Sequence, residues 1–180
     1  MNTNSAGALA KSFQFVHKNL DGFKIKEKVD SMGINGYINY CAGLAAGTGA
    51  AAGLGGGVTL ALGIPADLAN TIAQQFRVTL AVIYYRTGRY AVSFPEFMKI
   101  VGLSIGVRVG IKGVEFLALR VAQELLKRLT ARTLGKAVPI VGAVVGGGLN
   151  FAFIKAVGST LLAFEDQIFN DVAERPAIGG

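Results

Sequence analysis

The chain has 180 residues, 52% of them hydrophobic and only 16% charged. That is length enough for one buried core, and too little charge for the fully hydrated surface of an ordinary soluble enzyme. The single cysteine excludes an intrachain disulfide, and one cysteine with one histidine leaves no set for a structural zinc site.

Residues 1–7 read as frayed, and residues 1–36 hold no apolar run of signal-peptide type. Leu9, Phe13, Val16, Leu20 and Phe23 fall on one face and predict a helix over residues 8–29, weakened at Gly22. Lys11, Lys18, Lys24, Lys26 and Lys28 lie on or near its other faces, which suits packing on the body, with an interfacial amphipathic helix as the alternative. Residues 31–36, with Gly33 and Asn35-Gly36, predict a turn. Residues 37–64 carry no charge and exceed the about 20 residues that a membrane span needs. Their alanine and glycine content instead predicts one helix, or two broken around Gly55-Gly56-Gly57, buried among neighbours. Gly43 and Gly47 are four apart, as are Gly49, Gly53 and Gly57, a spacing that bares one helix face for close backbone approach.

Pro65 suits the first turn of a helix over residues 66–85. Asp67, Thr71 and Gln74, edged by Asn70, form its polar face, and Leu68, Ile72, Phe76, Leu80 and Ile83 its apolar face. Asp67 sits near the start, and Arg86 and Arg89 near the end, where the helix dipole favours each charge. Residues 87–93 read as a loop. Phe94-Pro95-Glu96 then opens a helix whose bare face is Gly102, Gly106 and Gly110, with Arg108, Lys112 and Glu115 as a charged stripe. Gly113 separates it from a helix over residues 114–133 with Leu117, Val121, Leu125 and Leu129 inward and Arg120–Glu124–Arg128 spaced for ion pairs. Gly135 ends that helix and Pro139 starts the last apolar segment, residues 140–169, with Gly142 and Gly146 four apart and Asn150 and Lys155 as its polar interruptions. Acidic residues from Glu165 to Glu174 keep its end wet, and residues 173–180 form a tail. No sustained alternation predicts a sheet. The fold class is therefore all-α, a compact bundle of six or seven helices packed through glycine-rich faces.

Candidate chemistry is sparse. Asp67 and Arg77 are ten residues apart on one helix, nearly three turns, so each pairs elsewhere, with Arg108, Lys112 or Lys155 as cations that Asp67 would meet. The functional alternative is a polar pocket of Asp67, Thr71, Gln74, Arg77 and Asn150. Residues 47–52, GTGAAA, approach a dinucleotide fingerprint, but no alternating βα units follow, and no phosphate-binding loop is complete. His17 lacks a carboxylate and nucleophile around it, so no catalytic residue, metal or cofactor is assigned. The charge is uneven: residues 108–136 hold seven basic residues against Glu115 and Glu124, a balance of +5. Within that block Arg120, Lys127, Arg128, Arg132 and Lys136 suit an anionic membrane face. The aromatic interleaving of nucleic-acid binders is missing.

Two stretches carry a family resemblance. Residues 53–88, GLGGGVTLALGIPADLANTIAQQFRVTLAVIYYRTG, and residues 129–158, LTARTLGKAVPIVGAVVGGGLNFAFIKAVG, resemble the core of EcsC family proteins, a bacterial family. The first has the glycine run Gly55 to Gly57, then Pro65, Asp67 and Arg77; the second has Pro139, Gly142, Ala143, Gly146, Asn150 and Phe153. The resemblance implies a helical, membrane-linked protein with a link to an ABC-type exporter, since the family is named for a protein encoded beside one, and it carries over no catalytic motif. The expected organisation is an N-terminal amphipathic helix and turn over residues 1–36, an EcsC-like core over 37–172, and the tail. The expected function is a non-catalytic accessory protein on the cytoplasmic side of a membrane, contacting anionic lipid or a membrane protein. The alternative is a binder or hydrolase of a lipid-like molecule around Asp67, Arg77 and Asn150.

Overall fold

The computed structural model describes residues 3–47, 66–108, 113–131 and 139–171. Among them are seven helices and no strand, with 86% of the described residues helical, as expected for the all-α class. The helices are α1 Thr3–Lys18, α2 Ile25–Ala46, α3 Ala66–Thr87, α4 Phe94–Ser104, α5 Val114–Ala131, α6 Pro139–Leu162 and α7 Asp166–Asp171, with a 3-10 turn at Leu20–Phe23.

The single helix expected over residues 8–29 is broken in two. Lys24 adopts the left-handed region at φ 49° between the 3-10 turn and α2. On one straight helix Leu20 and Ile25 would point about 140° apart. The break lets both enter the core, where neither is more than 1% exposed. The turn expected over residues 31–36 contracts to a kink at Gly33, with φ 70° and ψ 164°. Helix continues on both sides, so the expected division at residue 36 falls inside α2.

α3 is the axis of the bundle. It packs against α1, α2, α4, α6 and α7. Its apolar residues Leu68, Ile72, Phe76, Leu80 and Ile83 are buried as expected. Its polar face is buried too, because a second layer of helices covers it: Thr71, Gln74, Gln75, Arg77 and Thr79 all lie inside. α2 runs antiparallel to α3, and three polar rungs seven residues apart fix the register. Tyr84 meets Asp30, Arg77 meets Tyr37, and Asn70 meets the Leu44 carbonyl. Seven residues are close to two helical turns, so one face of each helix supplies all three rungs. On another face of α3, Phe76 stacks between Phe13 and Phe97, with centroids 5.2 and 5.1 Å away. His17 packs 4.8 Å from Phe97, and burial lowers its pKa against the opposing pull of a hydrogen bond to the Val92 backbone.

Among the described glycines, Gly43, Gly47 and Gly106 do not pack a bare helix face against a neighbour. α4 ends at Ser104, and Gly106 sits at φ 73° in a Schellman turn closed by Gly106 N to Leu103 O and Val107 N to Gly102 O. Gly106 is therefore a terminator and not part of a bare helix face, and Arg108 beyond it is exposed non-helical chain that shares no helix with Glu115; Lys112 lies outside the described residues. Gly102, by contrast, packs: a Cβ there would lie 3.4 Å from Leu117 and Val121. Gly43 is exposed with nothing within 4 Å, and Gly47 caps α2. The close approaches are instead on α6. A Cβ at Gly147 would lie 2.7 Å from the Ala46 carbonyl oxygen, and one at Gly158 would lie 2.8 Å from Ile38 Cγ2. Gly142 and Gly146 lie in the first turns of α6, where only the backbone path is described. Gly49, Gly53, Gly57 and Gly110 lie outside the described residues. Among the described residues no helix is long and apolar enough to cross a membrane.

Candidate functional site

Of the residues expected to gather on α3, the structure joins Gln74 and Arg77 directly and adds Asn70. Arg77 Nη1 donates to Gln74 Oε1 at 2.7 Å, Gln74 Nε2 donates to Asn70 Oδ1 at 2.9 Å, and Asn70 Nδ2 donates to the Leu44 carbonyl at 2.8 Å. These residues stand three and four apart, so one helix face orders them as a relay. Thr71 is buried one position from Asn70. Asp67 lies in the first turn of α3, with its side chain outside the described residues. Asn150 is half-buried on α6, and no hydrogen bond joins it to this relay among the described residues.

The other half of the site comes from α2 and the turn before it. Arg77 Nε donates to the Tyr37 hydroxyl at 3.2 Å. The guanidinium carbon lies 4.6 Å from the Phe23 ring centroid, 5.5 Å from Tyr40 and 5.7 Å from Tyr37. A cation over such rings gains about 0.5–2 kcal/mol per contact, more as water is excluded. Arg77 is 3% exposed, and no carboxylate lies within ion-pair distance of it among the described residues. Burial opposes its charge, but the Cys41 sulfur and the Tyr37 and Tyr40 hydroxyls more than offset this and hold the guanidinium above its ordinary value. Burial pushes the Cys41 thiol up to about 11 and drives the Tyr37 hydroxyl upward as well. At neutral pH both are uncharged, so Arg77 is a buried cation stabilised by dipoles and rings. Tyr40, at the rim, accepts a hydrogen bond from Lys28 at 3.2 Å, which lowers its pKa.

Chemically this arrangement is a clamp between α2 and α3. The guanidinium Nε and Nη1 already have protein acceptors, and Cys41 is a buried, protonated thiol with no general base beside it among the described residues. Sequence reading missed Tyr37, Tyr40, Cys41 and Phe23. The signal was present in part: Tyr37, Tyr40 and Cys41 stand at i, i+3 and i+4, and Asp30, Tyr37 and Leu44 stand seven apart. Gln75 presents the opposite situation. It is 0% exposed, and among the described residues neither its Nε2 nor its Oε1 has a partner.

The basic block is divided. Arg120 and Lys127 are exposed on α5, and the Arg120 guanidinium lies 5.3 Å from the ring of exposed Phe116. Arg128 is held by Glu124 at 2.6 Å. Arg132 and Lys136 lie outside the described residues. α1 packs beside α5 and turns Lys11, Phe15 and Lys18 to solvent, with no acidic residue along its length. No group of His, Cys, Asp and Glu that could hold a metal occurs among the described residues. No family model, curated protein or solved structure matches the chain.

Proposed function

We propose that this protein is a non-catalytic accessory protein that docks on an anionic membrane surface through the outer side of α1 and α5. One observation carries the reading: Phe15, flanked along α1 by exposed Lys11 and Lys18, is 51% exposed, and Phe116, with the Arg120 guanidinium over its ring, is 40% exposed, on two helices that pack together. Exposed aromatic rings enter the headgroup boundary, while Lys11, Lys18, Arg120 and Lys127 meet anionic lipid. Each such cation contributes about 1 kcal/mol near a charged bilayer, and salt weakens the term. The resemblance to the EcsC family supports the same reading and extends it to the cytoplasmic side of a membrane that holds an ABC-type exporter.

A protein partner in that membrane is favoured by α6. Gly148, Phe151, Ala152, Ala156 and Thr160 are exposed along it, an uncharged row of mostly small side chains of the kind that lets another helix approach closely. The test of the lipid reading is flotation with phosphatidylglycerol and phosphatidylcholine vesicles over a salt series. The protein should float with the anionic vesicles at low salt, and Phe15→Ser with Phe116→Ser should leave it at the bottom. Wild-type protein that stays at the bottom with anionic vesicles at low salt refutes the proposal.

A further inference from the structure

The kink at Gly33 opens a cleft of about 380 Å³ between α2 and the end of α3, lined by Val29, Asp30, Gly33, Ile34, Tyr84, Tyr85 and Gly88. Gly33, at φ 70°, leaves the helical path here, and a Cβ at its position would meet nothing within 4 Å. On the other wall, Gly88 at φ 68° closes α3 by donating to the Tyr84 carbonyl, so the cleft borders a helix C-terminus, the negative end of its dipole. The Asp30 carboxylate faces the cleft. Tyr84 donates its hydroxyl to both Asp30 oxygens, at 2.9 and 3.2 Å, which orients the carboxylate and leaves most of its acceptor sites open. No cation pairs with Asp30 among the described residues. The nearby arginines are committed elsewhere: Arg86 to Asp166 and the Leu162 and Phe164 carbonyls, and Arg89 to Glu96. Tyr85 adds a ring that is 56% exposed. Asp30 and, at longer range, Glu27 raise the pKa of Tyr84, as burial, Asp21 and Glu27 do for Tyr90. Asp21, Glu27 and Asp30 thus gather near these two tyrosines, interleaved along the chain with Lys24, Lys26 and Lys28.

We propose that this cleft binds a small organic cation, an ammonium or quaternary ammonium head on a short apolar body. The carboxylate and helix end meet the charge, the Tyr84 and Tyr85 rings flank it, and Val29 and Ile34 receive the carbon atoms. The protein's own Lys26 already places its Nζ 5.8 Å from the Tyr84 centroid, so this ring accepts an ammonium group and Lys26 competes with an incoming one. The inference is independent of the lipid-docking face on α1 and α5.

Two sources supply such a group, a free amine and a choline headgroup, and the test separates them. Choline is titrated into the intact chain by NMR against its neutral carbon isostere, 3,3-dimethylbutan-1-ol. Choline should shift the Tyr84 and Tyr85 signals and bind about tenfold more tightly than the isostere. Asp30→Asn should weaken choline about tenfold while leaving the melting temperature in place, and Lys26→Gln should strengthen it. Tyr85→Ala, at an exposed position, should weaken it independently. Loss of flotation with phosphatidylcholine vesicles in Asp30→Asn then assigns a headgroup. Choline binding without such flotation assigns a free amine. Equal binding of choline and the isostere, or an Asp30→Asn variant that is folded and binds choline as before, overturns the proposal. Flotation with anionic vesicles should not respond to Asp30→Asn, so failure of this site and failure of the α1–α5 face read differently.

Discussion

Gly147 and Gly148 are neighbours on α6 with opposite surroundings, and the same substitution at each should have opposite effects. At Gly148 a Cβ meets nothing within 4 Å, so alanine adds only helix propensity and a stiffer unfolded chain. That should stabilise by about 0.8–1 kcal/mol. At Gly147 the new Cβ would stand 2.7 Å from the Ala46 carbonyl oxygen, where ordinary contact begins at 3.4 Å. The obstacle is backbone at the end of α2 and cannot rotate away, so α2 and α6 must part by several tenths of an ångström. Overpacking of this kind costs about 1–3 kcal/mol, against which the same propensity gain applies. Gly147→Ala should therefore range from neutral to about 2 kcal/mol less stable than the parent, and lie about 1–3 kcal/mol below Gly148→Ala. Urea denaturation followed by far-UV circular dichroism reads the difference, and each kcal/mol moves the melting temperature by about 2–4 °C in a domain of this size. Equal shifts for the two variants would refute the antiparallel α2–α6 contact.

The clamp and the orphaned amide give two further expectations. Tyr37→Phe leaves the buried Arg77 Nε without its acceptor and should destabilise by about 1–3 kcal/mol, whereas Tyr40→Phe at the wet rim should stay within about 0.5 kcal/mol; equal losses in thermal melts would mean that Arg77 is not held as described. Gln75→Met keeps the volume and removes two unpartnered polar atoms, so it should stabilise by about 1 kcal/mol or more. A lowered urea midpoint for Gln75→Met would show that the amide has a partner in solution.

Periodicity alone determined much of this molecule. Apolar residues every three or four positions marked α1, α3 and α5 because an amphipathic helix must turn one face inward wherever it packs, and Phe94-Pro95-Glu96 and Gly113 marked where helices start. The burial of Leu9, Phe13, Ile72, Phe76, Leu117 and Val121 followed from the same pattern. Composition and spacing could not say what covers a polar face. Thr71, Gln74 and Arg77 look like a solvent or ligand face on an isolated helix, and they became core only because α2 lies across them and brings Tyr37, forty residues away, to the guanidinium. The glycines divide for the same reason. A residue without a side chain looks identical in sequence whether it terminates a helix, as Gly106 does, faces water, as Gly43 does, or touches another backbone, as Gly147 does; only the neighbour that arrives, or fails to, decides among them.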